Sequence, residues 1–295
     1  MTKMDIYPTR NDSKEHIIPR REPVVYGEGK RHNLLSSAEL DFFAHHGYLI
    51  KPGLLADKVD EVLAEIPRMQ VELAGKQELI LEPDSNMVRS VFSPEKYSDI
   101  CKSLACDRNL LHAAEQILDS EVYIHHSRIN VKAGLSGKSF SWHSDFETWH
   151  SEDGIPGMRI LTGWVFLTEN NEFNGSLFVI PQSHKYFISC VGETPQDNFK
   201  TSLRNQTYGV PGKEVLAQMV NQFGMKGIYG PPGTVVFHEG NLLHGSPDNM
   251  APMPRSNIFF VYNSVENTPV EPFNGLSPRP EFLARPFTGA VTAKE

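Results

Sequence analysis

EVYIHHSRINVK, residues 121–132, is rich in β-branched and aromatic side chains and contains no glycine or proline. Such a run favours a strand. Alternation places Val122, Ile124, His126, Arg128, Asn130 and Lys132 on one face, and Tyr123, His125, Ser127, Ile129 and Val131 on the other. The first face starts apolar and becomes a row of His, Arg, Asn and Lys. It reads either as a solvated face or as the wall of a cavity for anionic ligands. Downstream the same texture recurs at 159–168, 176–180, 227–229, 234–238 and 257–264, separated by Gly, Pro and Asn, with YGPPGT at 229–234 as one such turn. Many short strands with turn signals between them predict an antiparallel sandwich, barrel or jelly roll.

Upstream of residue 120 the periodicity is helical. Ser36 and Glu39 form a capping-box pair that opens a helix stopping at Gly47, and a short strand is expected over 48–50. From Val59, apolar residues recur at Val62, Leu63, Ile66, Met69 and Leu73, with a kink expected at Pro67. Asp107 caps a further helix carrying Leu110, Leu111, Ala114, Ile117 and Leu118. Residues 1–33, punctuated by Pro8, Pro19 and Pro23, read as an irregular arm. Residues 34–295 read as one domain, with a helical front part (34–119) and a β core (120–265).

Composition removes several functional classes. With 28 Lys and Arg against 36 Asp and Glu, the net charge is −8, which opposes nucleic-acid binding. No stretch approaches the ~20 apolar residues that span a bilayer. MTKMDIYPTRNDSKEH has no apolar core of a secretory signal, and three cysteines (101, 106, 190) without CxxC spacing suggest neither a disulfide framework nor a zinc finger. A soluble, cytoplasmic protein is expected.

Chemistry concentrates in two places. His143-Ser144-Asp145 follows the first strand, and in extended backbone residues i and i+2 present their side chains to one side. His244 stands in NLLHGS, and Arg255 follows eleven residues later. Two histidines and a carboxylate that leave open positions make the ligand set of non-haem Fe(II) oxygenases. An arginine fork on the next strand suits a carboxylate cosubstrate. His150-Ser151-Glu152 is a second H-x-E, read as a polar loop with a structural role, and His238 is a rival ligand. The remaining histidines, among them His16, His32, His45, His46, His112 and His184, read as surface or packing residues.

FSWHSDFETWHSEDGIP (Phe140–Pro156) resembles the long motif of the ectoine hydroxylases, within the phytanoyl-CoA dioxygenase superfamily. The resemblance continues through YIHHSRIN, SCVGETP, YGVP, HGS, PRSN, FFVYNSV, VEPF and RPEFLA, so it covers nearly the whole chain. It implies a mainly β fold, a double-stranded β-helix (jelly roll) with helices packed outside. It implies Fe(II) held by His143, Asp145 and His244, and 2-oxoglutarate held by Arg255 with Ser246 and Asn130; should Arg255 not be the anchor, Lys132 on the polar row of the first strand is the next candidate. O2 completes the reaction: 2-oxoglutarate is decarboxylated to succinate and a C–H bond is hydroxylated. Substrate contacts would come from His126, Arg128, Trp149 and Phe259, and the resemblance hints at a homodimer.

Three places depart from the family pattern. His126 stands where the family has glutamine, and it can carry charge as an amide cannot. Gly163-Trp164 stands where smaller polar residues are expected, and HEGNLLHGSP differs from the family's stretch. The leading substrate is ectoine; the alternatives are a cyclic amino acid such as L-proline or L-pipecolate. Outside the oxygenases, a metal-dependent isomerase or a non-oxidative metal-binding barrel protein would use a similar triad, but neither needs an anchor at Arg255.

Overall fold

The computed structural model describes residues 5–83, 85–203 and 206–293, so the first four residues of the arm lie outside the description. Strand β1 is His16–Pro19. Helix α1 (Ser37–His46) opens on the expected capping box and closes at Gly47, whose φ of 81° is the left-handed conformation that a Cβ would oppose. Strand β2 (Tyr48–Lys51) and helix α2 (Val59–Glu72) follow, and α2 continues past Pro67. Strands β3 (Leu79–Leu81) and β4 (Val88–Phe92) pair antiparallel. Then come α3 (Asp99–Ala105) and α4 (Arg108–Leu118), the latter capped by the Asp107 carboxylate, which accepts from the Asn109 N–H at 2.8 Å.

The β-rich part runs β5 (Val122–Lys132), β6 (Phe140–His143), helix α5 (Asp145–Asp153), β7 (Ile160–Phe166), β8 (Phe178–Val179) and β9 (Tyr186–Ser189). It closes with α6 (Phe199–Ser202), α7 (Lys213–Phe223), β10 (Lys226–Gly227), β11 (Val235–Glu239), β12 (His244–Ser246) and β13 (Arg255–Ser264). The large sheet has the order β2-β11-β7-β13-β5-β4-β3 and the small one β10-β8-β12-β6. This is the expected jelly roll, mainly β with helices outside and with open sheet edges.

Helices α2, α3 and α4 cover the outer face of the large sheet. Val62, Met69, Leu104, Leu110, Leu111 and Ile117 pack there against Val165, Phe237, Ile258 and Phe260. The inner face is different in kind, and the strand register shows why. His238, Thr162, Val261 and His126 lie in one row across β11, β7, β13 and β5. The next row holds Val236, Trp164, Phe259 and Arg128, and beyond it Asn257 pairs with Asn130 and Arg255 with Lys132. Apolar and polar side chains therefore share the inner face, with the charged ones gathered at one end.

The arm is more ordered than its prolines suggest. β1 pairs antiparallel with β9, from His16 opposite Ser189 to Pro19 opposite Tyr186, in a two-stranded sheet. Pro19 is tolerated because it ends the strand, where a missing N–H costs little.

The alternation expected for β5 fails at one point. Val261 of β13 is opposite His126, but Tyr262 is opposite Ile124, so His125 is an extra residue. A bulge of this kind reverses the inside–outside sense of the strand. Val122 and Ile124 join Ile129 and Val131 in the outer core, instead of sharing a face with His126. His125 and His126, expected on opposite sides, both turn inward: His125 reaches the Trp149 ring (centroids 6.0 Å) and His126 the Phe259 ring (5.4 Å). Deleting His125 would remove the extra residue and leave Ile124 opposite Tyr262 and His126 opposite Val261 in plain alternation, so the deletion variant should keep a cooperative unfolding transition by circular dichroism. His125→Ala keeps the count and loses the buried bond to Asp153 (3.0 Å); it should unfold cooperatively, about 1–3 kcal/mol less stable.

Candidate metal centre and its cavity

His143 ends β6 and Asp145 begins α5. Ser144 between them is extended (φ −107°, ψ 128°) and caps the helix, its hydroxyl accepting from the Glu147 N–H at 3.3 Å. The i, i+2 geometry expected from extended backbone therefore acts across Ser144. Asp145, however, sits in the first turn of a helix, where free N–H groups and the helix dipole favour a carboxylate. β12 lies beside β6, with His244 directly opposite His143.

This pairing brings three donors together. His143 Nε2 is 3.3 Å from Asp145 Oδ1, His244 Nε2 is 3.8 Å from Asp145 Oδ2, and all three ligand atoms lie within 4.8 Å of one another. Adjacent ligands of one ion sit about 3 Å apart when their bonds are about 2.1 Å, so a small closure suffices. The tautomers suit this too. His143 Nδ1 donates to the Ser141 carbonyl at 2.8 Å and His244 Nδ1 to the Leu242 carbonyl at 2.9 Å, leaving each Nε2 lone pair aimed at the centre. Burial pushes His244 down to about 3, so it is neutral and ready to ligate. Burial alone would raise Asp145, yet the facing His244 and His143 hold it below the usual carboxylate range. The residues fit a divalent ion.

The other histidines sort themselves by contact. His150 is buried on α5, its Nδ1 bonding the Ile155 carbonyl (2.8 Å) and its Nε2 bonding Asp5 (2.9 Å), which is a structural role. Its surroundings are a buried helix, not the polar loop expected, because Glu152 and Asp153 each have a buried arginine partner. His238 places Nε2 3.9 Å from Asp145 Oδ2 but stands outside the convergent set, so it is a neighbour of the triad.

All ten residues singled out from the sequence line one cavity. Its most telling members are cations. Arg255 is buried, donating to the Gly175 carbonyl at 2.8 Å and lying 3.5 Å from the Asn130 amide oxygen. Lys132, opposite Arg255 in register, donates to Ser246 Oγ (2.7 Å) and the Pro247 carbonyl (2.6 Å). Every one of these partners is neutral. Burial first, and then Arg255, pushes Lys132 down to about 6, while burial pushes Arg255 down to about 10. Arg128, four residues back along β5 and so about 13 Å away, donates to Ser90 Oγ and lies 5.0 Å over the Phe92 ring. Burial pushes Arg128 down to about 9.

The charge expected of His126 near neutral pH is absent. Burial, together with Arg279, His125 and Arg128, pushes it down to about 3, so it meets the cavity as a neutral imidazole. Trp164 and Lys132, marked by the departure at 163–164 and by strand alternation, also line the cavity. No site role was read for Asn257, Arg279 or a stretch including Asn198, Leu203, Gln206 and Tyr208 that roofs the cavity. Arg279, held bidentately by Asp153 (2.7 and 2.6 Å), reaches the cavity from far down the chain, at the head of the RPEFLA motif.

Removing one ligand leaves two, which hold Fe(II) poorly because it ranks low in divalent affinity. His143→Ala, Asp145→Ala and His244→Ala should each lose stoichiometric metal after desalting, read by elemental analysis. His150→Ala should retain it.

Comparison with known proteins agrees with this geometry. The family model described as Phytanoyl-CoA dioxygenase (PhyH) matches residues 43–257. A protein of Bordetella bronchiseptica named "Ectoine dioxygenase" is 49% identical over 283 residues, covering 95% of this chain and 92% of its own. EctD from S. alaskensis, crystallised with 2-oxoglutarate and 5-hydroxyectoine, superposes with a TM-score of 0.88 at 38% identity, covering 99% of this chain and 98% of its own. The same protein crystallised with bound Fe superposes at 0.86 with 36% identity over the same shares. With matches over almost its whole length, the chain belongs to the phytanoyl-CoA dioxygenase (PhyH) family.

Proposed function

We propose that the protein is an Fe(II)- and 2-oxoglutarate-dependent dioxygenase that hydroxylates ectoine to 5-hydroxyectoine. One observation carries the reading: a metal-binding triad opens on a cavity in which two neighbouring buried cations, Arg255 and Lys132, have only neutral hydrogen-bond partners among the described residues. A buried charge without a counter-charge is costly, and a bound dicarboxylate offsets that cost. The Arg255 fork takes both oxygens of one carboxylate, Lys132 acts as a point charge, and Ser246 and Asn130 add neutral hydrogen bonds. An isomerase or a metal-binding barrel protein has no use for this pair.

His143, Asp145 and His244 would hold the iron. Iron held there would let O2 act as the oxidant, one oxygen atom entering succinate as 2-oxoglutarate loses CO2 and the other entering an unactivated C–H bond as hydroxyl. The protein contributes position and dryness. Arg128 stands far enough from Arg255 to take a second anion, the carboxylate of ectoine. Trp149 and Phe259 offer ring faces, and neutral His126 offers one donor and one acceptor. The name of the Bordetella relative and the ligands of the S. alaskensis crystal support ectoine over proline or pipecolate. We also read the chain as one domain (34–295) with its arm, working as a cytoplasmic homodimer. No helix among the described residues is long and apolar enough to cross a membrane.

Incubation with Fe(II), ascorbate, 2-oxoglutarate and ectoine should give a product one oxygen heavier and succinate in proportion. Conversion of proline or pipecolate with none of ectoine would replace the substrate. Arg255→Ala should keep its metal and bind 2-oxoglutarate roughly 3–5 kcal/mol more weakly, on the order of 10²–10³ in affinity. Lys132 gives a pH signature. Below about pH 6 it is already charged and 2-oxoglutarate affinity should be flat. Above that, binding must first return a proton to Lys132, so affinity should fall with rising pH by up to about tenfold per unit. Anaerobic calorimetry across pH 5–9 should show this decline, and Lys132→Met should abolish it.

A further inference from the structure

The arm, the ligand-bearing helix and the cavity roof meet at one buried side chain. Arg10 takes a left-handed backbone (φ 58°) that turns its guanidinium inward. Its Nε and Nη2 bond the two oxygens of Glu147 at 2.9 and 2.7 Å. Its Nη1 bonds Glu152 Oε1 at 2.6 Å and Thr194 Oγ1 at 2.8 Å. Glu147 and Glu152 both belong to α5, the helix that begins with Asp145 and carries Trp149.

The roof, described at residues 190–203 and 206–209, has both feet on this node. At its start, the Arg10 N–H donates to the Cys190 carbonyl (2.8 Å) and the Cys190 N–H to Thr9 Oγ1 (2.9 Å). At its end, Gly209 passes so close that a Cβ there would lie 2.5 Å from Arg10 Nη2 and 2.3 Å from Glu147 Oε2. Between the feet, Asn198 Nδ2 donates to Glu152 Oε1 at 3.0 Å, the same oxygen that Arg10 holds. Asn198, Leu203, Gln206 and Tyr208 line the cavity from the roof, and Thr148, Trp149 and Glu152 line it from α5.

We propose that Arg10 is a positioning residue of the active site, fixing the roof against α5 and so setting how tightly the cavity closes on its substrate. A planar fork with five donors can hold two carboxylates and a hydroxyl at once, which an ammonium cannot do in the same geometry. A displacement of about 1 Å in such a wall is enough to cost catalysis heavily. The inference rests on the ectoine-hydroxylase reading for its substrate, but not for its geometry.

The test uses the full-length enzyme with Fe(II) and 2-oxoglutarate, and compares Arg10→Lys and Thr194→Val with wild type. Three quantities are measured: KM for ectoine, hydroxylated product formed per succinate released, and the rate of proteolytic cleavage within 190–209. In Arg10→Lys, KM should rise on the order of tenfold, product per succinate should fall at least about twofold, and roof cleavage should quicken. Thr194→Val should change all three in the same direction by less. If only kcat and thermal stability fall, while KM, product per succinate and cleavage stay at wild-type values, Arg10 is merely structural and the proposal is overturned. No change in any quantity overturns it as well. If Arg10→Lys does not fold, Thr194→Val and Gly209→Ala, which strikes the node from the roof side, carry the same comparison. Should wild type leave ectoine untouched while the variants still loosen the roof to protease, the substrate reading fails and the Arg10 assignment stands.

Discussion

The register between β5 and β13 is the constraint on which the site depends. Ten consecutive pairings, broken once by His125, decide which side chains face the helices and which face the cavity. Because the side-chain period of a strand is two, a shift of one residue would send Arg128, Asn130 and Lys132 into the apolar layer under α4. Phe260, Tyr262 and Ile258 resist that shift from the other strand, since each is fully buried in the outer core. Packing on one face of the sheet thus fixes chemistry on the other.

What this fixed face holds is positive charge that makes no ion pair among the described residues. The fold carries Arg128, Lys132 and Arg255 at a cost, and the downward shifts of all three express that cost in protons. It is tolerated because the neutral oxygens of Ser90, Ser246, Pro247 and Gly175 hold the donors in place. A ligand that brings negative charge therefore meets groups already oriented, and it stabilises the folded state in proportion to its concentration. Asp145 is the contrasting case, an anion kept ionised among imidazoles at a helix start.

Legibility in the sequence followed the range of the interactions. The Ser36–Glu39 capping box, the Asp107 cap and the apolar runs of β5, β7, β11 and β13 are local signals, and the corresponding elements stand where expected to within a few residues. The triad was legible because HxD is a local motif and because His244, followed by Arg255 eleven residues on, completes an iron-type ligand set; the family resemblance then pointed to the same three residues. α5 was not, because FETWHSED mixes aromatic and acidic residues without an apolar stripe; its charges are buried against Arg10 and Arg279, which lie 137 and 126 residues away. β3, β4, β6, β9 and β12 carried no legible strand signal. The bulge left no trace because HHS reads equally well with or without a skipped residue.

The two ligand imidazoles share a detail with a wider consequence. In each, Nδ1 donates to the main-chain carbonyl two residues before it, Ser141 for His143 and Leu242 for His244. A peptide carbonyl survives any substitution at its own position. Mutation at 141 or 242, or anywhere along the aromatic wall, can therefore alter what the cavity accepts without disturbing the tautomers that present Nε2 to the ion. The imidazole tautomers are thus independent of the side chains at 141 and 242, so substitutions at those two positions can accumulate while each Nε2 stays presented to the ion.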